Sequence, residues 1–481
     1  MRSIERPSRD ARDAGSSPDV LAPWGAHLDA QGNLAIDGVS TLALADTFGT
    51  PLHVVNAGRL ECHARAFVEA FASRYPGPVE VYLAAKANSV CGVLQMARAC
   101  GLGVEIFTPY ELRLALAAGY DGSHIIVNGP AKTNDFLRAC VDARVKLLVV
   151  DSKTELDELS AVAGRAGRAV AVLLRVNVDY VPRGMNPGTA TGSRRSVFGM
   201  DCGGDELAEA ARLCARDRHL EFRGLHMHIG SGIRDARDYG RACARLVDEA
   251  ARLRRVADVP TACLDIGGGF GSPMVREYSS IEFLLYHAAH RLPRAPSPAS
   301  AASFDDFAGS IVASIADGCR RHGLPMPALL LEPGRCLSGP SQLLLLRVLR
   351  TKARRGLRPW IITDGGQMTV NFPTFYEYHA MFCCRQPSRP HAPPVDIIGP
   401  GCHAADVVSR NRRLPPIDDG DVLAIMDAGA YFLPFEGNFG FPRAAVVAVA
   451  GGVPILLRRR ETVDDMLERE CAQLAAPLAM P

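Results

Sequence analysis

The 481-residue sequence has no long hydrophobic run and no excess of charge of one sign. Its longest weakly polar stretch, 444–457, is broken by Gly451, Gly452 and Pro454 and is too short to cross a bilayer as a helix. Lys and Arg number 54 against 52 Asp and Glu, so charge gives no reason to expect a nucleic-acid or anionic-membrane partner. These absences predict a protein with no transmembrane helix and no nucleic-acid partner.

The cysteine patterns of metal sites and disulfide frameworks are also missing. The fourteen cysteines form no Cys-X-X-Cys pair and show no regular spacing. We therefore expect reduced cysteines, a cytoplasmic setting and no metal. Residues 1–20 mix charges with Pro, Gly and Ser and lack an apolar stretch, so we expect a disordered tail there rather than a signal peptide or membrane anchor. A second tail is expected over 466–481.

Short runs rich in Val, Ile and Leu alternate with amphipathic stretches of helical period between about residues 80 and 335, which is the pattern of repeated βα units. The strand candidates are Val79–Ala85, Gly103–Phe107, His124–Asn128, Lys146–Val150, Ala169–Asn177, Phe222–Ile229, Ala262–Ile266 and Ala328–Leu331. Eight consecutive units predict a closed (β/α)8 TIM barrel over residues 56–338. The Pro/Ala/Ser-rich segment 292–303 predicts an exposed, flexible insertion.

Strand candidates without regular helices between them follow the barrel. They are Leu343–Leu349, Trp360–Thr363, Val422–Met426 and Ala444–Val449. This pattern predicts an antiparallel β-sandwich or β-barrel domain over residues 339–465. Residues 21–55 contain strand-like pieces and are expected to complete this C-terminal domain.

Polar residues stand where the predicted barrel strands end, which is where barrels of this kind collect ligand groups. In strand order they are Lys86, Glu105 and Thr108, Asn128, Arg175 and Asn177, His228 to Ser231, Asp265 to Gly271, and Glu332 to Arg335. Seven of the eight strands contribute. The sequence therefore predicts an active site at this mouth of the barrel.

Glycine-rich loops follow three of these strands. Ser231 lies in the loop after strand six, Gly267–Gly269 follows strand seven, and Gly334 precedes Arg335 after strand eight. Backbone N–H groups free of side-chain bulk, with a guanidinium beside them, suit a phosphate dianion. A glycine run alone equally fits a tight turn, but the loops after strands seven and eight are common phosphate sites in barrels.

Lys86 ends the first predicted strand among small residues, so that desolvation can remove its proton and make it a Schiff-base nucleophile. An exposed strand-end lysine is the ordinary alternative, and a phosphate site in the same mouth argues against it. Phosphate plus a reactive lysine implies pyridoxal phosphate. Glu332 would then keep the pyridine nitrogen protonated, which makes the ring an electron sink for a carbanion at the substrate Cα.

His226 and His228 lie two apart on one strand, so a metal site has to be weighed. No carboxylate or cysteine stands at ligand spacing beside them. We expect His228 to stack on the cofactor ring and His226 to be structural.

Several motifs in this order resemble the fold type III pyridoxal-phosphate decarboxylases, the group of diaminopimelate and ornithine decarboxylases. They are AAKAN with Lys86, NGPAK with Asn128, HIGSG with His228 and Ser231, DIGGGFG, EPGR with Glu332, GPGCHAAD with Cys402 and Asp406, and DAGAY with Tyr431. The resemblance spans about residues 35–460 and implies an alanine-racemase-like barrel that binds pyridoxal 5'-phosphate.

The resemblance also implies roles. Lys86 would carry the cofactor as a Schiff base, His228 would stack on its ring, and Glu332 would pair with its pyridine nitrogen. The phosphate would be bound by Ser231, Gly267, Gly268, Gly269, Gly334, Arg335 and Tyr431. Cys402 would come from the other subunit of a homodimer and protonate Cα after carbon dioxide leaves, although a cysteine in a Gly-Pro-Gly-Cys turn is by itself more often structural.

Two departures from the family pattern concern the substrate. Diaminopimelate decarboxylases carry an Arg-Pro pair that grips the distal carboxylate, whereas this chain has Phe372-Pro373; the family's acid after the catalytic cysteine is replaced by His403. A distal charge is normally matched by an opposite desolvated charge. We therefore expect a specialised substrate, a modified, citryl-type or carrier-tethered amino acid from a siderophore or other natural-product pathway, bound near Tyr376, His403 and Asp406.

Three other functions fit parts of the pattern. A racemase on the same fold would need a second base and usually a less acidic partner than Glu332 for the pyridine nitrogen. A catalytically inactive regulator would be expected to have lost Lys86, Cys402 or Asp406, and all three are present. A barrel enzyme acting on another phosphorylated ligand would leave the lysine unexplained.

Overall fold

The computed structural model describes residues 18–185, 190–371 and 373–470. Most of the two expected tails, 1–20 and 466–481, lies outside these ranges, as does Phe372. None of the helices in the described ranges is long and apolar enough to cross a membrane.

Eight parallel strands close into a barrel. They are Val79–Ala84, Gly103–Ile106, Ile125–Val127, Leu147–Val150, Val170–Asn177, Leu220–His226, Cys263–Asp265 and Ala328–Leu331. Each pairs with the next along the chain, and the eighth pairs with the first through Leu330 and Glu80. The predicted (β/α)8 barrel is confirmed, and every predicted strand overlaps an observed one.

Helices cover the outside of the barrel. They are Ala57–Ala72, Cys91–Ala99, Pro109–Ala117, Asn134–Asp142, Lys153–Ala166, Asp205–Arg216, Ala236–Ala257, Ser280–Ala289 and Phe304–His322. Several begin where the sequence supplies a capping side chain: Thr108, Thr133 and Ser152 each accept a backbone N–H of the first turn. Their apolar faces and the outward strand residues form one large core.

Apolar side chains fill the lower interior of the barrel. They are Tyr82, Ile126, Leu147, Val149, Leu173, Cys263 and Leu330. Because side chains alternate along a strand, the residue two positions further along also points inward. The strand-end residues Asn128, Arg175, Asp265 and Glu332 therefore form a polar layer above this apolar one.

The second domain is built on a mixed sheet. Its strands are Leu52–Asn56, Gln342–Lys352, Trp360–Thr363, Met381–Cys383, Val395–Ile398, Val407–Arg412, Val422–Ile425, Ala445–Ala450 and Val453–Arg458. Leu52–Asn56, from the N-terminal segment, lies between Gln342–Lys352 and Ala445–Ala450. It is antiparallel to the first and parallel to the second, so the sheet is not purely antiparallel as the sequence suggests.

The N-terminal segment also forms a small antiparallel sheet of Ala26–Leu28, Leu34–Ile36 and Val39–Ser40, followed by the helix Thr41–Phe48. The remaining helices are short: Pro18–Leu21, Arg335–Ser338, Gln367–Val370, Pro373–Tyr376 and Val463–Leu467. Arg335–Ser338 joins the last barrel strand to the sheet domain, so the EPGR motif lies at the junction of the two domains.

The expected flexible insertion, 292–303, is exposed but is held in place. It contains one turn of 3₁₀ helix, Pro298–Ser300, and Ser303 caps the following helix. The Ala302 N–H donates to the Arg234 carbonyl at 3.0 Å. The segment therefore lies against the loop that follows barrel strand six.

Candidate active site

Two buried carboxylates at the barrel mouth are joined by one amide. Asn128 donates from Nδ2 to Glu105 Oε1 at 2.9 Å and to Glu332 Oε1 at 2.7 Å. Glu105 is fully buried and Glu332 is 2% exposed. Buried carboxylates are costly unless they are hydrogen-bonded or paired with a cation, so this bridge and the nearby Lys86 hold both acids in fixed positions.

Lys86 lies in the 3₁₀ turn Ala85–Ala87 directly after the first strand. Its Nζ is 2.5 Å from Glu105 Oε2. Burial disfavours the ammonium, but the carboxylates of Glu105 and Glu332 outweigh burial and raise the pKa of Lys86 above its ordinary value. The loss of the proton expected from desolvation is therefore opposed by an acid that the sequence places on the next strand.

The turn that carries Lys86 is anchored on the sheet domain. Asn88 donates from its side chain to Gln342 Oε1 at 2.8 Å and to the Gly429 carbonyl. The Tyr431 N–H donates to the Ala87 carbonyl at 2.8 Å. Tyr431 adopts a φ of 69°, which is uncommon outside glycine. The DAGAY motif, on the other domain, thus helps to position the turn that carries Lys86.

Asp265 and Glu332 are neighbouring buried acids whose pKa values are shifted in opposite directions. Burial, and then the charge of Glu332, raises the pKa of Asp265 well above its ordinary value. For Glu332, burial is outweighed by His226 and Lys86, which lower its pKa. His226 Nε2 lies 3.6 Å from Glu332 Oε2. A carboxylate whose pKa is lowered suits pairing with a protonated ring nitrogen.

His226, Asp265 and Glu332 lie close enough together to hold a metal ion. Glu332 already accepts from Asn128, and Asp265 already accepts the Gly267 N–H at 2.9 Å. Both acids therefore have hydrogen-bond partners without an ion. The structure places His226, which the sequence predicts to be structural, beside Glu332.

Three consecutive positions in the loop after strand seven, 267–269, require glycine. Gly267 and Gly269 have φ of 69° and 97°. A Cβ on Gly268 would lie 2.1 Å from the Glu332 carbonyl oxygen, and one on Gly269 would lie 1.9 Å from the Gly230 carbonyl oxygen. The backbone of the strand-seven loop therefore lies in direct contact with the backbones of the strand-six loop and the EPGR segment.

These groups fit pyridoxal phosphate. The Ser231 hydroxyl is buried beside the glycine loop and has no hydrogen-bond partner among the described residues, as expected of a group that meets a ligand oxygen. Burial, with Lys86 and Arg175 nearby, lowers the pKa of His228 well below its ordinary value, so its ring is neutral. The His228 Nδ1 accepts the Gly268 N–H at 3.2 Å, which fixes the ring at the mouth.

Arg335, which the sequence predicts to bind the phosphate, is paired with Glu377. Its two terminal nitrogens donate to the carboxylate of Glu377 at 2.7 and 2.8 Å, and its guanidinium lies 4.9 Å from the centre of the Tyr431 ring. Both Arg335 and Glu377 are buried. Gly334 packs closely against the turn that carries Lys86, since a Cβ at position 334 would lie only 2.8 Å from the Cβ of Ala87.

The predicted substrate residues lie on the sheet domain. Cys402 and His403 are exposed, and the centre of the His403 ring lies 6.1 Å from that of Phe439. Asp406 is buried and accepts the N–H groups of Gln367 at 2.5 Å and Gly401 at 2.7 Å, so its carboxylate shapes the turn that carries Cys402. Tyr376 directly precedes Glu377, the partner of Arg335.

Glu105 and Asp265 were expected at the barrel mouth from their strand-end positions, although without individual roles. Glu277 and Glu377 were not expected at the site. Glu377 lies outside the barrel. Its backbone pairs with that of Glu277 in a two-stranded antiparallel ribbon, 276–277 against 377–378. No motif signals that pairing.

A lysine amine, a glycine cradle and a buried carboxylate around one barrel mouth are groups that suit pyridoxal phosphate, so the fold and site are those of a pyridoxal-phosphate enzyme. When bound, the cofactor supplies a protonated ring that accepts the electron pair released from the substrate Cα. Lys86 would hold it covalently and Glu332 would hold the proton on its ring nitrogen.

Comparison with known proteins identifies the family within this class. The family model "Pyridoxal-dependent decarboxylase, pyridoxal binding domain" matches residues 58–339, and the chain belongs to this family. It is 33% identical to the diaminopimelate decarboxylase of Methanothermobacter thermautotrophicus over 91% of this chain and 95% of that one. It is 32% identical to the enzyme of Actinosynnema pretiosum over 94% of this chain and 95% of that one.

Solved structures agree. A crystal structure of diaminopimelate decarboxylase from M. jannaschii has a TM-score of 0.83 at 26% identity and covers 94% of this chain and 99% of that one. The chain is thus a pyridoxal-phosphate-dependent amino-acid decarboxylase. The relatives favour this activity over the racemase and over the inactive regulator.

Proposed function

We propose that this enzyme decarboxylates an amino acid whose side chain is modified or tethered to a carrier. The observation that carries the proposal is the pairing of Arg335 with Glu377. A buried arginine at the mouth is the natural partner for a distal carboxylate, but here an internal carboxylate already occupies both of its terminal nitrogens.

The two departures in the sequence support the same conclusion. His403 is exposed where the family has an acid for the distal ammonium. The Arg-Pro pair is replaced by Phe372-Pro373. A substrate with free charges at its far end would meet no dedicated partner at these positions.

A second candidate is diaminopimelate itself. Curated relatives at about 30% identity across most of the chain are named diaminopimelate decarboxylases. This substrate would require the distal groups to be bound by other residues of the site.

Carbon dioxide release distinguishes the candidates. The holoenzyme is assayed with meso-diaminopimelate, ornithine, lysine, lysines acylated on the side-chain nitrogen, and carrier-bound amino acids. We expect a modified or tethered substrate to have a kcat/KM at least about tenfold higher than meso-diaminopimelate. Efficient turnover of meso-diaminopimelate would overturn the proposal. Lys86→Ala is the inactive control.

We also propose the site roles and a homodimer. Lys86, His228, Ser231, Glu332 and the glycine loops would bind the cofactor. Cys402 would act in the partner's site, which is supported by its exposure on a turn that Asp406 holds rigidly. A shared site of this kind makes the dimer the active species.

A further inference from the structure

A cleft of about 720 Å³ opens beside the loop after barrel strand six. Ser231 and Gly232 line its inner end, Glu277 lines one side, and residues 299–302 form its outer rim. Pockets of roughly 300–1,000 Å³ hold drug-sized ligands. The cleft is thus larger than one unmodified amino acid requires, and it begins at a residue proposed to contact the cofactor.

Arg234 ties the walls of this cleft together. It lies three residues after Ser231 in the strand-six loop. One terminal nitrogen donates to the carbonyls of Ser272, Pro273 and Val275 at 2.9–3.1 Å, in the segment that follows the glycine loop. The other donates to the Ser297 carbonyl at 3.1 Å and to the Ser300 hydroxyl at 2.9 Å.

A second arginine fixes the start of the same insertion. Arg276 forms two hydrogen bonds of 2.7 Å with Glu282 and donates to the Arg294 carbonyl at 3.1 Å. Both ends of the insertion are therefore held by side chains that also line the cleft. An exposed segment rich in Pro, Ala and Ser has no apolar core of its own, so these contacts determine its position.

The rim that Arg234 holds is made of small residues. Ala299, Ser300, Ala301 and Ala302 all line the cleft. Small side chains leave space, and a larger side chain at the same positions would fill it. The cleft can therefore receive an appended group only because this segment is both fixed and small.

We propose that residues 299–302 form the wall that sets the size of substrate side chain the enzyme accepts, and that Arg234 is the positioning residue for this wall. The inference deepens the proposed function, since it names the place where the modification of the substrate would lie. Neither Arg234 nor residues 299–302 are among the residues proposed to bind the cofactor.

The first test enlarges the wall. Ala299→Leu and Ala301→Leu are compared with Ala295→Leu, an exposed position in the same insertion that does not line the cleft. Probes are lysine and lysines acylated on the side-chain nitrogen with progressively longer chains. Binding is followed through the visible absorbance of the bound cofactor, so that probes that are not turned over are also measured. We expect the longest probes to lose about tenfold in affinity and lysine less than about twofold.

The second test removes the arginine that holds the wall in position. We expect Arg234→Ala to raise KM or the dissociation constant of long probes about fivefold, with kcat and cofactor affinity within about twofold, and Arg234→Lys to be intermediate. The inference is wrong if Ala299→Leu and Ala301→Leu affect all probes equally or none. It is also wrong if Arg234→Ala lowers kcat and cofactor binding together.

The two proposals fail separately. If meso-diaminopimelate is the preferred substrate but the wall variants still discriminate by probe length, the proposed substrate class fails and the wall stands. If a modified substrate is preferred but the variants do not discriminate, the wall fails and the substrate class stands.

Discussion

Lys86 Nζ and Glu105 Oε2 lie 2.5 Å apart at the ends of adjacent barrel strands. The pairing stabilises the ammonium of a lysine that must be neutral to attack an aldehyde. Glu105 is itself held by Asn128, which also donates to Glu332. The proposed site of cofactor attachment and the proposed partner of the ring nitrogen are thereby connected through one amide.

The first prediction concerns this pair. Glu105→Gln removes one of the two carboxylates that raise the pKa of Lys86, so the pKa falls and the neutral amine is more abundant at a given pH. The rate at which visible absorbance appears after pyridoxal phosphate is added should rise, about tenfold for each unit of pKa lost. Glu105→Asp keeps the charge and should keep the wild-type pH profile. A profile displaced to higher pH in Glu105→Gln would contradict this account.

The glycine cradle gives the second prediction. A Cβ on Gly268 would lie 2.1 Å from a backbone oxygen, so Gly268→Ala should destabilise the protein by roughly 2–4 kcal/mol and weaken cofactor binding. Gly309→Ala is the matched control, because Gly309 lies in an exposed helix position with no atom near the added Cβ. It should stabilise by about 0.5–1 kcal/mol. Urea unfolding with and without cofactor measures both, and equal stability of Gly268→Ala and wild type would refute the packing argument.

The third prediction is a pH dependence. Burial and the facing Glu377 raise the pKa of Glu277 to about 7. The native state then binds a proton that the unfolded chain releases near 4.5, so this group's contribution to stability falls as pH rises between these values. Glu277→Gln removes this pH-dependent loss of stability. Since Glu277 is partly exposed, we expect a gain of the order of 1–2 kcal/mol at pH 8 and a smaller one near pH 5.

Urea unfolding of Glu277→Gln and wild type at both pH values checks this sign. Glu282→Gln provides the contrast: the Arg276 guanidinium, despite some opposing burial, lowers the pKa of Glu282 to about 2, so its loss should destabilise at neutral pH. A stability gain for Glu277→Gln that is larger at pH 5 than at pH 8 would show that the shift has the wrong direction.

Local sequence patterns predicted the barrel because each strand is a buried run bounded by turns, and the alternation of side chains placed Asn128 and Glu332 in its mouth. They could not predict that Arg335 would form an ion pair with Glu377. That contact joins residues 42 apart through a ribbon between two domains. The contacts of the insertion 292–303 could not be predicted for a similar reason, since its partner Arg234 lies on another loop and leaves no periodic signal.

The last prediction tests the shared site. Lys86→Ala removes cofactor attachment and Cys402→Ala removes the proposed acid, so each variant alone should be inactive. If Cys402 serves the partner's barrel, a mixed dimer has one site with both native residues and one with neither. Random mixing of equal amounts makes half the dimers mixed, so about a quarter of wild-type carbon dioxide release should return. Lys86→Ala mixed with the Lys86→Ala/Cys402→Ala double variant must remain inactive. If mass spectrometry shows mixed dimers and activity stays absent, Cys402 does not act across the interface.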